Sequence, residues 1–177
     1  MSGRGDLRGA LVGAAIAGVF GALWALWGAS GLAAPASTIV RVAGILLGLA
    51  VVVEALRGVR TAPRSGGDGS MFRTPRYRLI VLGEVIALVV GGVVLGRVGL
   101  PQYVCPWVAL VVGAHFLAFG RAFWRGFYLI GLAFVGAALV GTVVGLVGGA
   151  PGAVIATTAL ISSASLLVAG GRTVVRA

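Results

Sequence analysis

The sequence of 177 residues contains no lysine, no asparagine, and only one histidine, one cysteine and four acidic residues. The single cysteine, Cys105, excludes an intrachain disulfide and any multi-cysteine metal site. Without lysine there is no Walker-type nucleotide loop, and one isolated histidine argues against a zinc or haem centre. We therefore expect no enzymatic activity, no cofactor and no metal.

Charge is also scarce, because charged residues make up 10% of the chain, against about 25% in a soluble domain. What is abundant is apolar: 59% of the residues are hydrophobic and the mean hydropathy is +1.10. A helix needs about 20 apolar residues to cross a bilayer. Six stretches approach or exceed that length, at residues 10–27, 36–56, 79–96, 103–119, 127–147 and 151–169.

These apolar runs are continuous rather than alternating, which favours helices over barrel strands. The sequence therefore predicts an all-α protein with one transmembrane domain, residues 1–177. A cleaved signal peptide is the alternative for the first stretch, but its apolar core exceeds the 7–15 residues typical of a signal.

The 14 basic residues are all arginines; one, Arg41, lies within the second stretch, and the other 13 alternate between the segments that flank the stretches. The counts are 2, 0, 6, 1, 2, 0 and 2, with the six in the segment 57–78. Arginine collects on the cytoplasmic side of membrane proteins, so both termini and this basic loop are predicted to be cytoplasmic. Because the arginines lie at span ends rather than on one polar face, we expect the bilayer, and no nucleic acid, as the partner.

Glycine and proline spacing indicates three helical hairpins. Gly21 and Pro35, Gly92 and Pro101, and Gly141 and Pro151 each mark a turn from an odd span to an even one. The 31 glycines also repeat at intervals of four, as small residues do where membrane helices pack closely. We expect this packing within the chain, with a homo-oligomer through the glycine-rich faces as the alternative.

Four ionisable residues fall within the apolar stretches: Arg41, Glu54, Glu84 and His115. Arg41 is near the outer end of its span, where it can snorkel to water, and Glu54 can pair with Arg57 three residues later. Glu84 and His115 lie roughly 9 Å from the inner interface, on neighbouring antiparallel spans. They form a candidate buried polar pair, either a proton relay or a static hydrogen bond between helices.

The stretch from Val112 to Tyr128, VGAHFLAFGRAFWRGFY, resembles a pattern in uncharacterised bacterial six-helix membrane proteins. There, a Gly-x-His-Phe core is followed by a small-residue turn, an arginine and an aromatic-rich span. The match covers about a tenth of the chain and carries over His115 and Phe116. The hairpin pattern is also similar to short-repeat membrane proteins linked to acid resistance. Both resemblances imply a bacterial inner membrane, and neither implies an activity.

Two functions follow as hypotheses. The first is a small transporter or transporter-like subunit that uses Glu84 and His115. The second is a structural or partner-binding membrane protein whose basic loop contacts lipid or another chain.

Overall fold

The computed structural model describes residues 5–62 and 74–177, with side chains from Leu7 onward. That part of the chain is helical, without strands, so the predicted all-α class is confirmed. The helices are α1 (Gly5–Ala29), α2 (Ala36–Thr61), α3 (Pro75–Arg97), α4 (Val104–Ala122), α5 (Phe127–Leu146) and α6 (Pro151–Val175), with a 3-10 turn at Pro101–Tyr103. Each of the six helices is long and apolar enough to cross a membrane, and the chain is an integral membrane protein.

The helices at the basic loop extend further than the predicted spans. Because arginine is a good helix former, α2 continues through Arg57 and Arg60 to Thr61 rather than ending at residue 56. The helix α3 begins at Pro75, after Thr74, whose hydroxyl accepts a hydrogen bond from the backbone N–H of Tyr77 at 3.2 Å. Proline at the first helical position is favoured because its missing N–H has no partner there anyway. The predicted loop 57–78 is therefore shorter, and its residues 63–73 lie outside the described part.

Consecutive helices pack as antiparallel pairs, α1 with α2, α3 with α4 and α5 with α6. The last two pairs share one turn geometry. Gly99 and Gly148 have φ angles of +76° and +86°, in the left-handed region where a side chain would be strained. Bonds from Leu100 N–H to the Leu95 carbonyl and from Gly149 N–H to the Val144 carbonyl close both turns at 2.9 Å. This shared helix end supports an internal repeat for the second and third hairpins.

The helices arrange around α6, which contacts α1, α2, α4 and α5. A core cluster joins α1, α4, α5 and α6; its buried members are Trp24, Cys105, Ala109, Phe134, Ala138, Ala159 and Leu166. Trp24 is buried and its ring meets the Phe134 ring edge-on, with centroids 5.4 Å apart. In contrast, α2 and α3 lie outside this core and do not contact each other.

Glycines allow the closest approaches between helices. A Cβ on Gly48 of α2 would lie 2.6 Å from the Gly18 carbonyl of α1, and one on Gly113 of α4 would lie 3.0 Å from the Gly131 carbonyl of α5. Since lipid is as apolar as the side chains, such backbone contact is a principal source of helix association in a membrane. The predicted packing within the chain is therefore present.

One end of the bundle is strongly basic. It holds the N-terminal ends of the odd helices and the C-terminal ends of the even ones. Of the eleven described arginines, nine lie there: Arg8, Arg57, Arg60, Arg76, Arg78, Arg121, Arg125, Arg172 and Arg176. The other two, Arg41 and Arg97, lie toward the opposite end. We call the first end the basic end; that it faces the cytoplasm remains a prediction.

Candidate functional site

The structure brings Glu84 of α3 and His115 of α4 into direct contact, with Nδ1 of His115 bonded to Oε2 of Glu84. When Nδ1 carries the proton, it donates to the carboxylate. The side chains are 14% and 15% exposed, respectively. These two partly buried ionisable groups, on neighbouring membrane spans, are therefore partnered with each other, as their position inside the membrane requires.

Aromatic rings surround the histidine. The Phe119 ring meets the His115 ring edge-on with centroids 4.1 Å apart, and the Phe116 ring is tilted against it with centroids 5.2 Å apart. Phe127 of α5 then contacts both phenylalanines, at 5.8 and 5.9 Å. These apolar neighbours keep the local dielectric low, which strengthens the attraction between carboxylate and imidazolium and makes either charge costly alone.

The pair also belongs to the interface that attaches α3. In the described structure α3 contacts α4 and the 3-10 turn and no other element, and none of its residues is buried. Besides the pair, Tyr77 stacks on Phe119 with centroids 5.3 Å apart. A helix with so little buried apolar surface depends strongly on each specific contact.

Trp107 of α4 makes the third of these contacts. Its indole N–H donates to the backbone carbonyl of Ala87 at 3.0 Å. The ring lies against Gly91, where an added Cβ would fall 2.0 Å from Nε1 of the indole. Tyr77, the Glu84–His115 pair and Trp107 thus form one line along the α3–α4 interface, which we call the α3 docking line.

The remaining predicted site residues lie elsewhere. Glu54 and Arg57 form the predicted ion pair at 2.6 Å on α2, with side chains 50% and 70% exposed. Exposed pairs of this kind contribute little to stability. Arg41 is exposed on α2 and takes no part in the docking line. Arg41 and Glu54 both belong to α2, which contacts neither α3 nor α4, so they do not approach Glu84 or His115.

Trp107 and Gly91 were not predicted as site residues, although their helical spacing places them on the same helix faces as His115 and Glu84. Trp107, His115 and Phe119 are eight and four residues apart, so they lie near one stripe of α4. Tyr77, Glu84, Ala87 and Gly91 follow a similar stripe on α3. Two stripes that both carry polar or aromatic residues are typical of facing helices.

Over residues 5–62 and 74–177, no group of three histidine, cysteine, aspartate or glutamate side chains is placed to hold a metal ion. Fold and site together define a helical membrane protein with a partly buried acid–base pair between two of its spans. Comparison with protein-family models, curated proteins and solved structures found no match.

Proposed function

We propose that this protein is a small transporter-like protein of a bacterial inner membrane, without enzymatic activity, in which Glu84 and His115 bind and release a proton. The observation that carries the proposal is their direct contact inside a membrane span. Intramembrane carboxylate and histidine pairs are typical of proton pathways. The Gly-x-His-Phe resemblance at His115 supports the bacterial inner membrane and implies no activity.

The Glu84–His115 pair can exist in three protonation states. With one proton between them, the carboxylate and the imidazole have no net charge. A second proton leaves an imidazolium beside a neutral acid, and loss of the shared proton leaves a carboxylate beside a neutral imidazole. Both changes place an uncompensated charge among Phe116 and Phe119, where charge is disfavoured. Proton binding or release at this site therefore alters the energy of the local structure.

That energy acts on α3, since the pair is part of the docking line. Because α3 is held by α4 and the 3-10 turn alone within the described structure, a change of charge at the pair shifts the balance between α3 positions. Coupling of a proton to helix movement is what a proton-linked transporter requires.

The test is proton flux in liposomes that contain a pH-sensitive dye. Under an imposed pH gradient, the wild type is expected to dissipate the gradient faster than empty liposomes. The rates of Glu84→Gln and His115→Gln are expected to fall to the empty-liposome rate, since each variant removes one proton-binding group. Glu54→Gln is the matched control, because it removes an exposed carboxylate of α2.

Two results contradict the proposal: a wild-type rate equal to that of empty liposomes, or a Glu84→Gln rate equal to the wild-type rate. In the second case, an accompanying loss of stability would identify the pair as a static bond between helices.

A structural or partner-binding role is the second candidate, and the outer position of α2 and α3 favours it. Both helices expose apolar side chains along most of their length; on α3 these include Leu82, Val89 and Val93. A partner helix or lipid can cover such a face. Deletion of residues 66–70 together with neutralisation of Arg73, Arg76 and Arg78 would then abolish whatever cellular phenotype the intact protein confers. Glu84→Gln would leave that phenotype intact. Residues 63–73 lie outside the described structure.

A further inference from the structure

Two hairpins of the protein repeat one glycine pattern at the turn that joins their helices. Three glycines of the second hairpin recur 49 positions later in the third: Gly92, Gly96 and Gly99 correspond to Gly141, Gly145 and Gly148. The last pair forms the shared turn, with φ angles of +76° and +86°. Position for position, α3 therefore corresponds to α5.

On α5 the repeated glycines belong to a buried face. A Cβ on Gly141 would overlap the Thr158 hydroxyl of α6, and one on Gly145 would lie 2.7 Å from the Tyr103 hydroxyl of the 3-10 turn. Phe134, which precedes Gly141 on the same face, is fully buried. The helix α5 thus docks on its hairpin partner α6 through this face.

On α3 the equivalent residues are open. A Cβ on Gly92 or on Gly96 meets no atom within 4 Å. Val85, which corresponds to Phe134, is 50% exposed, and Val89 is 60% exposed. We call Val85, Val89, Gly92 and Gly96 the glycine face of α3.

The helix α3 docks through a different face, and the exchange with α5 is mutual. Ala87 and Gly91, which contact Trp107, correspond to Gly136 and Val140 of α5. A Cβ on Gly136 meets no atom within 4 Å, and Val140 is 46% exposed. Successive residues of a helix lie about 100° apart, so α3 is turned by about one residue relative to α5. The two repeats therefore show two ways in which an odd helix meets the even helix of its hairpin.

The attachment of α3 leaves it able to adopt both orientations. None of its residues is buried, and in the described structure it packs on no helix other than α4. Its glycine face carries the small residues that allow membrane helices to approach closely. Gly99, at the end of α3, has the backbone freedom to follow a rotation because it lacks a Cβ. Movement of one structural repeat against another is a common way for transporters to change state.

We propose that α3 has a second docked position, turned by about 100°, in which its glycine face packs on α4 and Glu84 has left His115. The proton shared by the pair moves from Nδ1 of His115 to the Glu84 carboxylate, which leaves a neutral imidazole and a neutral acid. Glu84 then turns away with the proton, because a neutral acid in lipid costs far less free energy than a carboxylate. This inference deepens the proposed function, on which its link to proton movement rests.

Fluorine NMR of protein labelled with 5-fluorotryptophan tests the second position, because rotation of α3 removes Ala87 and Gly91 from the Trp107 ring. The Trp107 signal is identified by its loss in Trp107→Phe. Glu84→Gln resembles the protonated acid and cannot form the ion pair. We expect this variant to populate the second position, seen as a second Trp107 signal or, under fast exchange, as a shifted one.

Gly92→Leu separates rotation of α3 from a simple loosening of its contacts. A Cβ on Gly92 is unobstructed in the observed position, whereas a leucine on the glycine face prevents close packing on α4. When Gly92→Leu is added to Glu84→Gln, the Trp107 signal is therefore expected to return to its wild-type shift.

Gly83→Leu is the matched control. A Cβ on Gly83 also meets no atom within 4 Å, and Gly83 precedes Gly92 by about two and a half turns, which places it on the opposite side of α3. When Gly83→Leu is added to Glu84→Gln, the changed Trp107 signal is expected to remain.

Three results overturn the proposal. The Trp107 signal is the same in Glu84→Gln and in the wild type, the change persists when Gly92→Leu is added, or the change grows with the ratio of protein to detergent. The last result identifies a second copy of the chain as the partner of the glycine face. If Gly92→Leu does not fold, Gly92→Val takes its place. The NMR signals report the second position without proton flux, so failure of the proposed function and failure of this inference are distinguishable.

Discussion

Gly91 is the position where one methyl group tests how α3 is attached. In Gly91→Ala, the new Cβ would fall 2.0 Å from Nε1 and 2.1 Å from Cε2 of Trp107, so either the indole or α3 must move. The indole cannot move without stretching its hydrogen bond to the Ala87 carbonyl. In this region α3 has no second helix to hold it.

The magnitude follows from three contributions to the free energy of unfolding. Overpacking costs about 1–3 kcal/mol, and loss of an interhelical hydrogen bond in a membrane adds about 0.6 kcal/mol. Alanine in place of glycine stabilises a helix by about 1 kcal/mol. We therefore expect Gly91→Ala to lower the free energy of unfolding by about 1.5 kcal/mol.

The neighbouring residue provides the control. A Cβ on Gly92 meets no atom within 4 Å, so Gly92→Ala keeps the helical gain without the clash and is expected to be neutral or stabilising. Titration with SDS in mixed micelles, followed by circular dichroism and tryptophan emission, measures both free energies. If the two variants have the same stability, the docking line does not hold α3 as described.

Two further predictions concern the contacts of α1 with α6 and with α2. Ser163→Ala is expected to destabilise the protein by about 0.6 kcal/mol, because it removes the 2.7 Å bond from the Ser163 hydroxyl to the Gly21 carbonyl of α1. The Ser165 hydroxyl bonds within its own helix, so Ser165→Ala should show no loss of stability in the same SDS titration. Gly48→Ala is expected to be about 1–3 kcal/mol less stable than Gly13→Ala, because a Cβ on Gly48 would lie 2.6 Å from the Gly18 carbonyl, whereas one on Gly13 meets no neighbour within 4 Å. Both variants gain the same helix propensity, so equal stabilities would contradict the close α1–α2 packing.

Part of the candidate site was predictable because helix geometry is regular. Glu84 follows Arg78 by six residues and His115 precedes Arg121 by six, so a rise of about 1.5 Å per residue places both at one depth. A short connection then makes the two helices neighbours. Depth and adjacency together were enough to pair the residues. The helix bounds were less predictable, because arginines at Arg57 and Arg60 continue α2 beyond its apolar part.

The contacts of α3 could not be predicted in the same way. Hydropathy describes a helix without showing which of its faces meets another helix. The outer helices α2 and α3 are as apolar as the inner ones. Their outer positions depend on which glycines meet which neighbours: Gly48 lies against Gly18, whereas Gly92 meets nothing. Likewise, the sequence around Trp107 does not show whether its indole faces lipid or donates a hydrogen bond to the Ala87 carbonyl.

By itself the sequence determined the number of helices, their apolar character and the concentration of arginines at one end, because burial of the backbone in lipid and the placement of charge are local requirements. Only the tertiary structure decided that α6 lies at the centre and that α3 packs on α4 alone among the helices. Those facts depend on shape complementarity between distant segments, which no local pattern records.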